Sequence, residues 1–207
     1  MPDSPKTIAM LLRKMGIRGQ DAGVRALSVI GYRHLRNVQR VLAGEEPSGR
    51  DNYLFIGPTG SGKSYGAECL ARVLSGPSIT VDLTQFSETG SRGDSVESIP
   101  GRLLAAAGGD TQAAACGIVC LDEIDKLAAS HSNARFAGEG TTKDVAGFGT
   151  QKGLLSLLSA GTYNYEGDCG FGSGHRKMAD LRAVTFVACG AFSGLKSTAD
   201  HLDTQPR

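Results

Sequence analysis

Eight consecutive residues, Gly57 to Ser64, have the types and spacing of a phosphate-binding loop. The pattern is G-x-x-x-x-G-K-[ST], present as Gly57-Pro58-Thr59-Gly60-Ser61-Gly62-Lys63-Ser64. Its glycines let backbone N–H groups surround phosphate oxygens where a side chain would collide. We expect Lys63 to reach the outer phosphates as a catalytic cation and the Ser64 hydroxyl to bind Mg²⁺. The loop therefore predicts a nucleoside triphosphate with Mg²⁺ as the ligand.

A pair of acids, Asp122-Glu123, closes an apolar run that begins at Gly117. Such a run is typical of a strand buried on both faces of a parallel sheet. At the carboxyl end of that strand, Asp122 would hold the metal through water. Glu123, one residue further on, would polarise the attacking water as a general base. A strand that ends in a solvated acidic turn is the alternative, and the phosphate loop in the same chain favours the catalytic interpretation.

The residues around both motifs predict the strands and helices that position them. Residues 53–56 form an apolar strand before the loop, and apolar residues recur at helical spacing after it. This context argues against a chance match in a chain with 29 glycines. Strands alternating with helices predict an α/β fold in which helices sandwich a parallel sheet, with one strand inserted between the two motifs. Further strands are predicted at 78–83, 117–122 and 183–188, further helices near 100–107 and 145–158, and a hairpin or loop over 162–179.

The first fifty residues predict two amphipathic helices that are interrupted at Gly16–Gln20. A turn-rich linker, residues 44–49, follows the second helix. We therefore divide the chain into an N-terminal helical segment, 1–50, and a P-loop core, 51–207. The apolar stripe of the first helix is Ile8, Leu11, Leu12 and Met15, and that of the second is Val24, Leu27, Leu35, Val38 and Leu42.

Composition excludes several classes of protein. The net charge of +1 argues against nucleic-acid and membrane-surface partners. The chain has no apolar run long enough to span a bilayer and no signal-like start, so we expect a cytoplasmic protein. The cysteines form no C-x-x-C pair, which favours buried free thiols over a zinc site. They are five in number, Cys69, Cys116, Cys120, Cys169 and Cys189.

Together these segments resemble the AAA+ ATPases, and within that family the ClpX unfoldases, which feed the ClpP protease. The resemblance rests on the phosphate loop and on the run from Gly117 to Lys126, whose Asp-Glu-Ile-Asp-Lys end is more specific than a generic acidic motif. Residues 142–145, 147–158 and 189–195 also match the family pattern. The resemblance extends from about Ser4 to Leu195, which is nearly the whole chain.

The resemblance implies an AAA+ large domain that takes ATP and Mg²⁺. The segment Gly16–Gln20 is similar to the family's V-I-G-Q segment, which borders the adenine, so Ile17 is expected to contact the nucleotide. Tyr65, the residue after the phosphate loop, is expected to contact it as well. The family also implies assembly into a ring, which could be a hexamer, or a heteromer with a ClpX-like or protease partner. A protein substrate follows from the same likeness.

Several positions depart from the family pattern. The substrate-gripping pore loop G-Y-V-G is replaced by Gly90-Ser91-Arg92-Gly93, which has no aromatic residue. Phe148 stands where the family has an acid, and His175-Arg176-Lys177 only echoes its R-K-H loop. No part of the given sequence resembles the family's zinc-binding N-terminal module. Nothing after Leu195 resembles the fifth strand, the arginine finger or the helical lid, so we expect the phosphate-loop strand at a sheet edge.

Two functions remain open at this level, and a third is disfavoured. The first is an ATP-hydrolysing module that works in a ring to remodel or unfold proteins. The second is an ATP-binding switch or adaptor subunit that needs a partner to complete its site. A DNA-directed loader is disfavoured by the near-neutral charge. The short C-terminus fits a fragment, a degenerate relative or one piece of a larger assembly.

Overall fold

The computed structural model describes residues 2–49, 52–86, 95–129, 145–166 and 176–193. The family-based expectations for Ser91, Arg92 and His175 lie outside these ranges, as does Cys169. The helices are α1 Pro5–Lys14, α2 Asp21–Leu42, α3 Lys63–Leu74, α4 Ile99–Ala106, α5 Thr111–Ala114, α6 Lys126–Ala129 and α7 Val145–Ser159. The strands are β1 Asn52–Ile56, β2 Ser78–Asp82, β3 Ile118–Asp122, β4 Thr162–Glu166, β5 Arg176–Asp180 and β6 Thr185–Gly190.

Four strands form one parallel sheet in the order β1-β6-β3-β2. The predicted parallel sheet is therefore confirmed, and within the described residues the phosphate-loop strand β1 lies at its edge, as expected. The two inner strands, β3 and β6, are buried almost along their whole length. Their continuous apolar runs are explained by this position, because inner parallel strands are covered on both faces.

Helices cover both faces of the sheet. On one face, α1, α2 and α3 pack together around Ile8, Leu27 and Leu70. On the other face, α4 and α7 contribute Leu103 and Leu157 to the larger apolar core that covers β2, β3 and β6. The site residues thus stand on a sheet that is held from both sides.

The helix boundaries follow from local chemistry. The Ser4 side chain caps α1 by accepting a hydrogen bond of 3.2 Å from the Thr7 amide, and Pro5 occupies the first turn, where its missing N–H is tolerated. The predicted apolar stripe of α2 is buried up to Val38, whereas its last member, Leu42, is 52% exposed. Helix α2 has 22 residues and its packing partner α3 has 12, so the last turn of α2 extends past the core.

The sequence predicts a hairpin or a loop over 162–179, and the described residues of this region form an antiparallel pair of strands, β4 and β5. The amide of Leu181 donates to the carbonyl of Gly161 and closes the base of the hairpin. The short helices α5 and α6 and the 3₁₀ turns at 83–86 and 96–98 were not predicted from sequence. A single turn carries too few residues to show a periodic apolar pattern.

A buried histidine, to which the sequence analysis assigned no chemistry, joins α2 to the sheet. The Nδ1 atom of His34 lies 2.9 Å from the hydroxyl of Thr185, the first residue of β6. Burial lowers the pKa of His34 to about 4, against the opposing effect of a hydrogen bond to the backbone of Cys116. The imidazole is therefore neutral at physiological pH.

Among the residues that the structure describes, no helix is both long enough and apolar enough to cross a lipid bilayer.

Candidate functional site

The phosphate loop connects the carboxyl end of β1 to the first residue of α3. Gly60 and Gly62 adopt φ angles of 78° and 82°, in the left-handed region that L side chains rarely enter. The Ser61 amide donates to the Pro58 carbonyl, which tightens the turn. The Gly57 amide donates to the Gly190 carbonyl at the end of β6, which ties the loop to the neighbouring strand. The amino end of α3, with its positive partial charge, follows directly.

Lys63 lies inside the curve of this loop. Its ammonium group donates hydrogen bonds of 2.7 Å to the Gly57 carbonyl and 2.9 Å to the Pro58 carbonyl. An ammonium group carries three N–H donors, so these two bonds leave one for an anion. The side chain is thus held where its charge faces the interior of the loop.

The predicted metal ligands Ser64 and Asp122 meet at the carboxyl end of the sheet. The Ser64 hydroxyl donates a hydrogen bond of 2.7 Å to Oδ2 of Asp122, although the two residues are 58 positions apart. The other carboxylate oxygen of Asp122 accepts from the Glu123 amide at 2.9 Å. This carboxylate is therefore fixed in orientation, and the pair offers only oxygen donors, which suit Mg²⁺.

Glu123 is exposed and has an unusual backbone conformation. Its φ angle is 55°, and a non-glycine residue in the left-handed region typically costs about 1–3 kcal/mol. The next amide, that of Ile124, donates to the Cys189 carbonyl of β6 at 3.1 Å. The predicted general base therefore stands on a turn that is strained and anchored on both sides.

A second segment, Met15–Gln20, borders the phosphate loop from the α1–α2 connection. The Tyr65 hydroxyl donates 2.9 Å to the Met15 carbonyl, and the Gln20 side-chain amide donates 2.7 Å to the Ser61 carbonyl. Gly16 and Gly19 have φ angles of 96° and 70°, which allow the segment to turn back toward the loop. Gln20 lies in the Gly16–Gln20 motif, but the sequence does not predict it as a site residue, because its partner is a backbone carbonyl that no motif reveals.

One cavity of about 830 Å³ joins these two segments. It brings together all but four of the predicted site residues; the exceptions are Thr59, Ser64, Asp122 and Glu123, of which Ser64 and Asp122 contact each other. The predicted residues on its wall are Ile17, Gly57, Pro58, Gly60, Ser61, Gly62, Lys63 and Tyr65. The structure thus places the predicted adenine-side and phosphate-side residues around one space.

Thiols lie beneath the loop. Cys120 and Cys189 are buried with Ala67 and Val187 between α3 and the sheet. A hydrogen bond to the Cys189 thiol, together with burial, raises the pKa of Cys120 far above the usual thiol range. Cys120 is therefore a neutral core residue. Cys69 is buried as well, while Cys116, just before β3, is only half-buried.

A protein-family comparison decides what kind of molecule carries this site. The model of the AAA domain (Cdc48 subfamily) matches residues 50–205. The chain belongs to this family. This finding confirms the fold that the motifs and the likeness predicted, and the parallel sheet with its loop at the end of β1 is the AAA scaffold in this chain.

Curated relatives narrow the comparison within the AAA family. The chain is 40% identical over 194 residues to the ATP-dependent Clp protease ATP-binding subunit ClpX of Porphyromonas gingivalis, covering 90% of this chain and 45% of that protein. It is 37% identical over 202 residues to ClpX 3 of Methylococcus capsulatus, covering 91% of this chain and 45% of the relative. The AAA chain is thus a module of the ClpX type that spans less than half the length of these relatives.

Proposed function

We propose that this AAA module binds ATP with Mg²⁺ in the cavity between the phosphate loop and the Met15–Gln20 segment, and hydrolyses it. The observation that carries the proposal is the contact of 2.7 Å between the Ser64 hydroxyl and the Asp122 carboxylate, with Glu123 directly after it. It joins the end of the loop to the acidic strand terminus, as metal-assisted phosphoryl transfer requires. The curated relatives are named as ATP-binding subunits, which supports the same conclusion.

The loop would hold the phosphates. Backbone N–H groups of Gly60 and Gly62 would face the phosphate oxygens, and the amino end of α3 would add its positive potential. Lys63 would offer an N–H donor to the outer phosphates from the position that its bonds to Gly57 and Pro58 define. Thr59 completes the loop between its proline and its first left-handed glycine.

Ser64 and Asp122 would hold Mg²⁺. Both offer oxygen atoms, and the Glu123 amide fixes the Asp122 carboxylate, so the donor set fits a hard cation. When bound, the ion neutralises charge on the outer phosphate oxygens of the substrate.

Glu123 would act as the general base. It would accept a proton from the water that attacks the γ-phosphorus, as the bond to the β-phosphate oxygen breaks and ADP and phosphate are released. Its place next to Asp122 supports this role, because it stands one residue from the metal-side carboxylate. Removing a general base typically lowers turnover by about 100- to 10,000-fold.

We further propose that the module works in a ring, with other copies or with a ClpX-like partner, and acts on proteins. The support is the name of the relatives, which are subunits of an ATP-dependent protease. In such a ring one subunit completes the site of the next, so turnover per chain would depend on protein concentration.

The test is steady-state ATP turnover across a range of chain concentrations, with ATP binding measured on the same samples. We expect turnover that rises more than linearly with concentration. Glu123→Gln should keep ATP binding and lose at least about 100-fold in turnover, while the exposed Glu97→Gln serves as a matched control and stays at wild-type rate. Wild-type turnover by Glu123→Gln would contradict the assigned base, and binding without any wild-type turnover would favour the switch.

A further inference from the structure

Two non-glycine residues with left-handed backbone conformations stand at adjacent strand ends beside the proposed catalytic centre. Glu123 follows β3 with a φ of 55°, and Phe192 follows β6 with a φ of 49°. Such conformations persist only where surrounding contacts hold them, and they concentrate at functional sites. The contacts that hold this pair therefore bear on how Glu123 is aimed.

Asp125 links the two strained turns. Its Oδ2 atom accepts a hydrogen bond of 3.2 Å from the Phe192 amide, 67 residues along the chain. Asp125 immediately precedes α6, a position at which aspartate commonly caps its own helix. Here the carboxylate reaches across to the segment that follows β6, so that the turn carrying Glu123 and the turn carrying Phe192 are joined by one side chain.

Gly190 allows this link to close. A β-carbon at Gly190 would lie 2.5 Å from a ring carbon of Phe192 and 2.9 Å from Oδ1 of Asp125, closer than real contacts allow. The absence of a side chain thus lets the ring and the carboxylate pack against the backbone of β6. The Gly190 carbonyl, in turn, accepts from the Gly57 amide of the phosphate loop.

We propose that Asp125 is a positioning residue for hydrolysis, which clamps the Gly190–Phe192 segment against the turn after β3 and keeps Glu123 in its left-handed conformation. The inference rests on the proposed ATPase function. Asp125 touches neither substrate nor metal in this scheme. It acts through the turn, which the Ile124 amide anchors to the Cys189 carbonyl on the same strand that Phe192 follows.

The first test compares Asp125→Ala and Asp125→Asn with the wild-type chain. Asp125→Ala should lower kcat about 10- to 100-fold while the Kd for ATP stays within about threefold, because the base is misaimed but the pocket is intact. Asp125→Asn keeps an oxygen acceptor for the Phe192 amide and should recover most of the loss. Asp110→Ala is the control, since Asp110 likewise accepts backbone amides but caps the distant helix α5.

The second test does not depend on turnover. Amide hydrogen exchange, followed on the folded variants, should rise at Glu123 and Ile124 in Asp125→Ala and return toward wild type in Asp125→Asn. Unchanged exchange at these two amides would overturn the clamp even if the chain hydrolyses ATP. If exchange rises in Asp125→Ala but the wild-type chain binds no ATP, the clamp is supported and the proposed ATPase function is rejected. An equal loss of kcat and ATP affinity in Asp125→Ala, with a lowered Tm, would also overturn the positioning role.

Discussion

The hydroxyl of Tyr65, on the first turn of α3, donates a hydrogen bond of 2.9 Å to the main-chain carbonyl of Met15, at the end of α1. The bond lies at the wall of the proposed nucleotide cavity, to which Tyr65 and Gly16 both contribute. It complements the bond from Gln20 to the Ser61 carbonyl, which joins the same two segments from the other direction. The phosphate loop and the α1–α2 connection are thus fastened by a pair of reciprocal contacts.

Loss of the Tyr65 bond should weaken ATP binding on the base side alone. Tyr65→Phe keeps the ring and removes the hydroxyl, so we expect the Kd for ATP to rise about 3- to 10-fold, the effect of one net hydrogen bond. The Kd for inorganic tripolyphosphate, which has no base, should not change. Tyr163→Phe, in the β4–β5 hairpin, is the matched control. Equal losses for both ligands would show that Tyr65 supports the phosphate loop instead.

Removal of the charge from Asp122 should change the response to Mg²⁺. Because Asp122 is the charged member of the proposed ligand pair with Ser64, Asp122→Asn should raise the Mg²⁺ concentration for half-maximal ATP binding by about tenfold or more. The measurement is a Mg²⁺ titration of ATP binding at fixed nucleotide. Asp110→Asn changes the same functional group far from the loop and should leave the titration at wild type. An unchanged midpoint in Asp122→Asn would remove this residue from the metal site.

Protonation of buried His34 should make the fold less stable in mild acid. Burial lowers its pKa to about 4, from an ordinary 6.5. Between these two pH values the histidine is protonated in the unfolded chain and neutral in the folded chain. The stability that the folded chain has with a neutral His34 is therefore fully present above the unfolded pKa of 6.5. It is lost as the pH falls from there toward the folded pKa of about 4. Between about pH 7 and pH 5 we expect the free energy of unfolding to fall by about 2 kcal/mol from this group alone.

The measurement is urea unfolding at both pH values for wild type and His34→Gln. The variant lacks the titrating group, so its free energy of unfolding should change less between the two conditions by about the same 2 kcal/mol. The wild-type bond to Thr185 makes Thr185→Val a useful second variant, since it lowers stability at both pH values but keeps the histidine. Identical pH dependence in wild type and His34→Gln would contradict the assigned pKa.

The parts of the site that the sequence predicted are those with local signatures. The strand, the loop and the start of α3 are contiguous, and the Asp122-Glu123 pair closes a recognisable apolar run, so their placement at strand ends followed from alternation alone. The parallel order of the sheet also brings the carboxyl ends of β1, β6 and β3 together. Local sequence patterns were therefore enough to predict that these motifs lie together at the carboxyl end of the sheet.

The links between distant segments could not be predicted from the sequence. The bond from Tyr65 to Met15, the bond from Phe192 to Asp125 and the burial of His34 against Thr185 each join residues that no motif relates. The exposure of Leu42 has a related cause, because periodicity shows which face of a helix is apolar but not where its packing partner ends. The backbone conformation of Glu123 could not be predicted either, since nothing in its residue type indicates a positive φ.

The open edge of β1 should govern how readily the isolated chain self-associates. Within the described residues β1 pairs on one side only, with β6, and it exposes Leu54 by 50%. An apolar edge strand offers unpaired backbone groups and exposed apolar side chains to another chain. A charged residue there opposes such pairing. We expect Leu54→Lys to slow the growth of light scattering on incubation by about threefold or more.

Leu42→Lys provides the control for this comparison, because Leu42 is 52% exposed but lies on a helix, where the backbone is already hydrogen-bonded. If exposed apolar area alone drove association, the two lysine variants would slow scattering equally. If the unpaired strand edge drives it, only Leu54→Lys will do so, and the particles formed by wild type will gain β-structure in the far ultraviolet spectrum. Equal effects of the two variants would therefore show that exposed apolar area in general, and not the edge of β1, drives association.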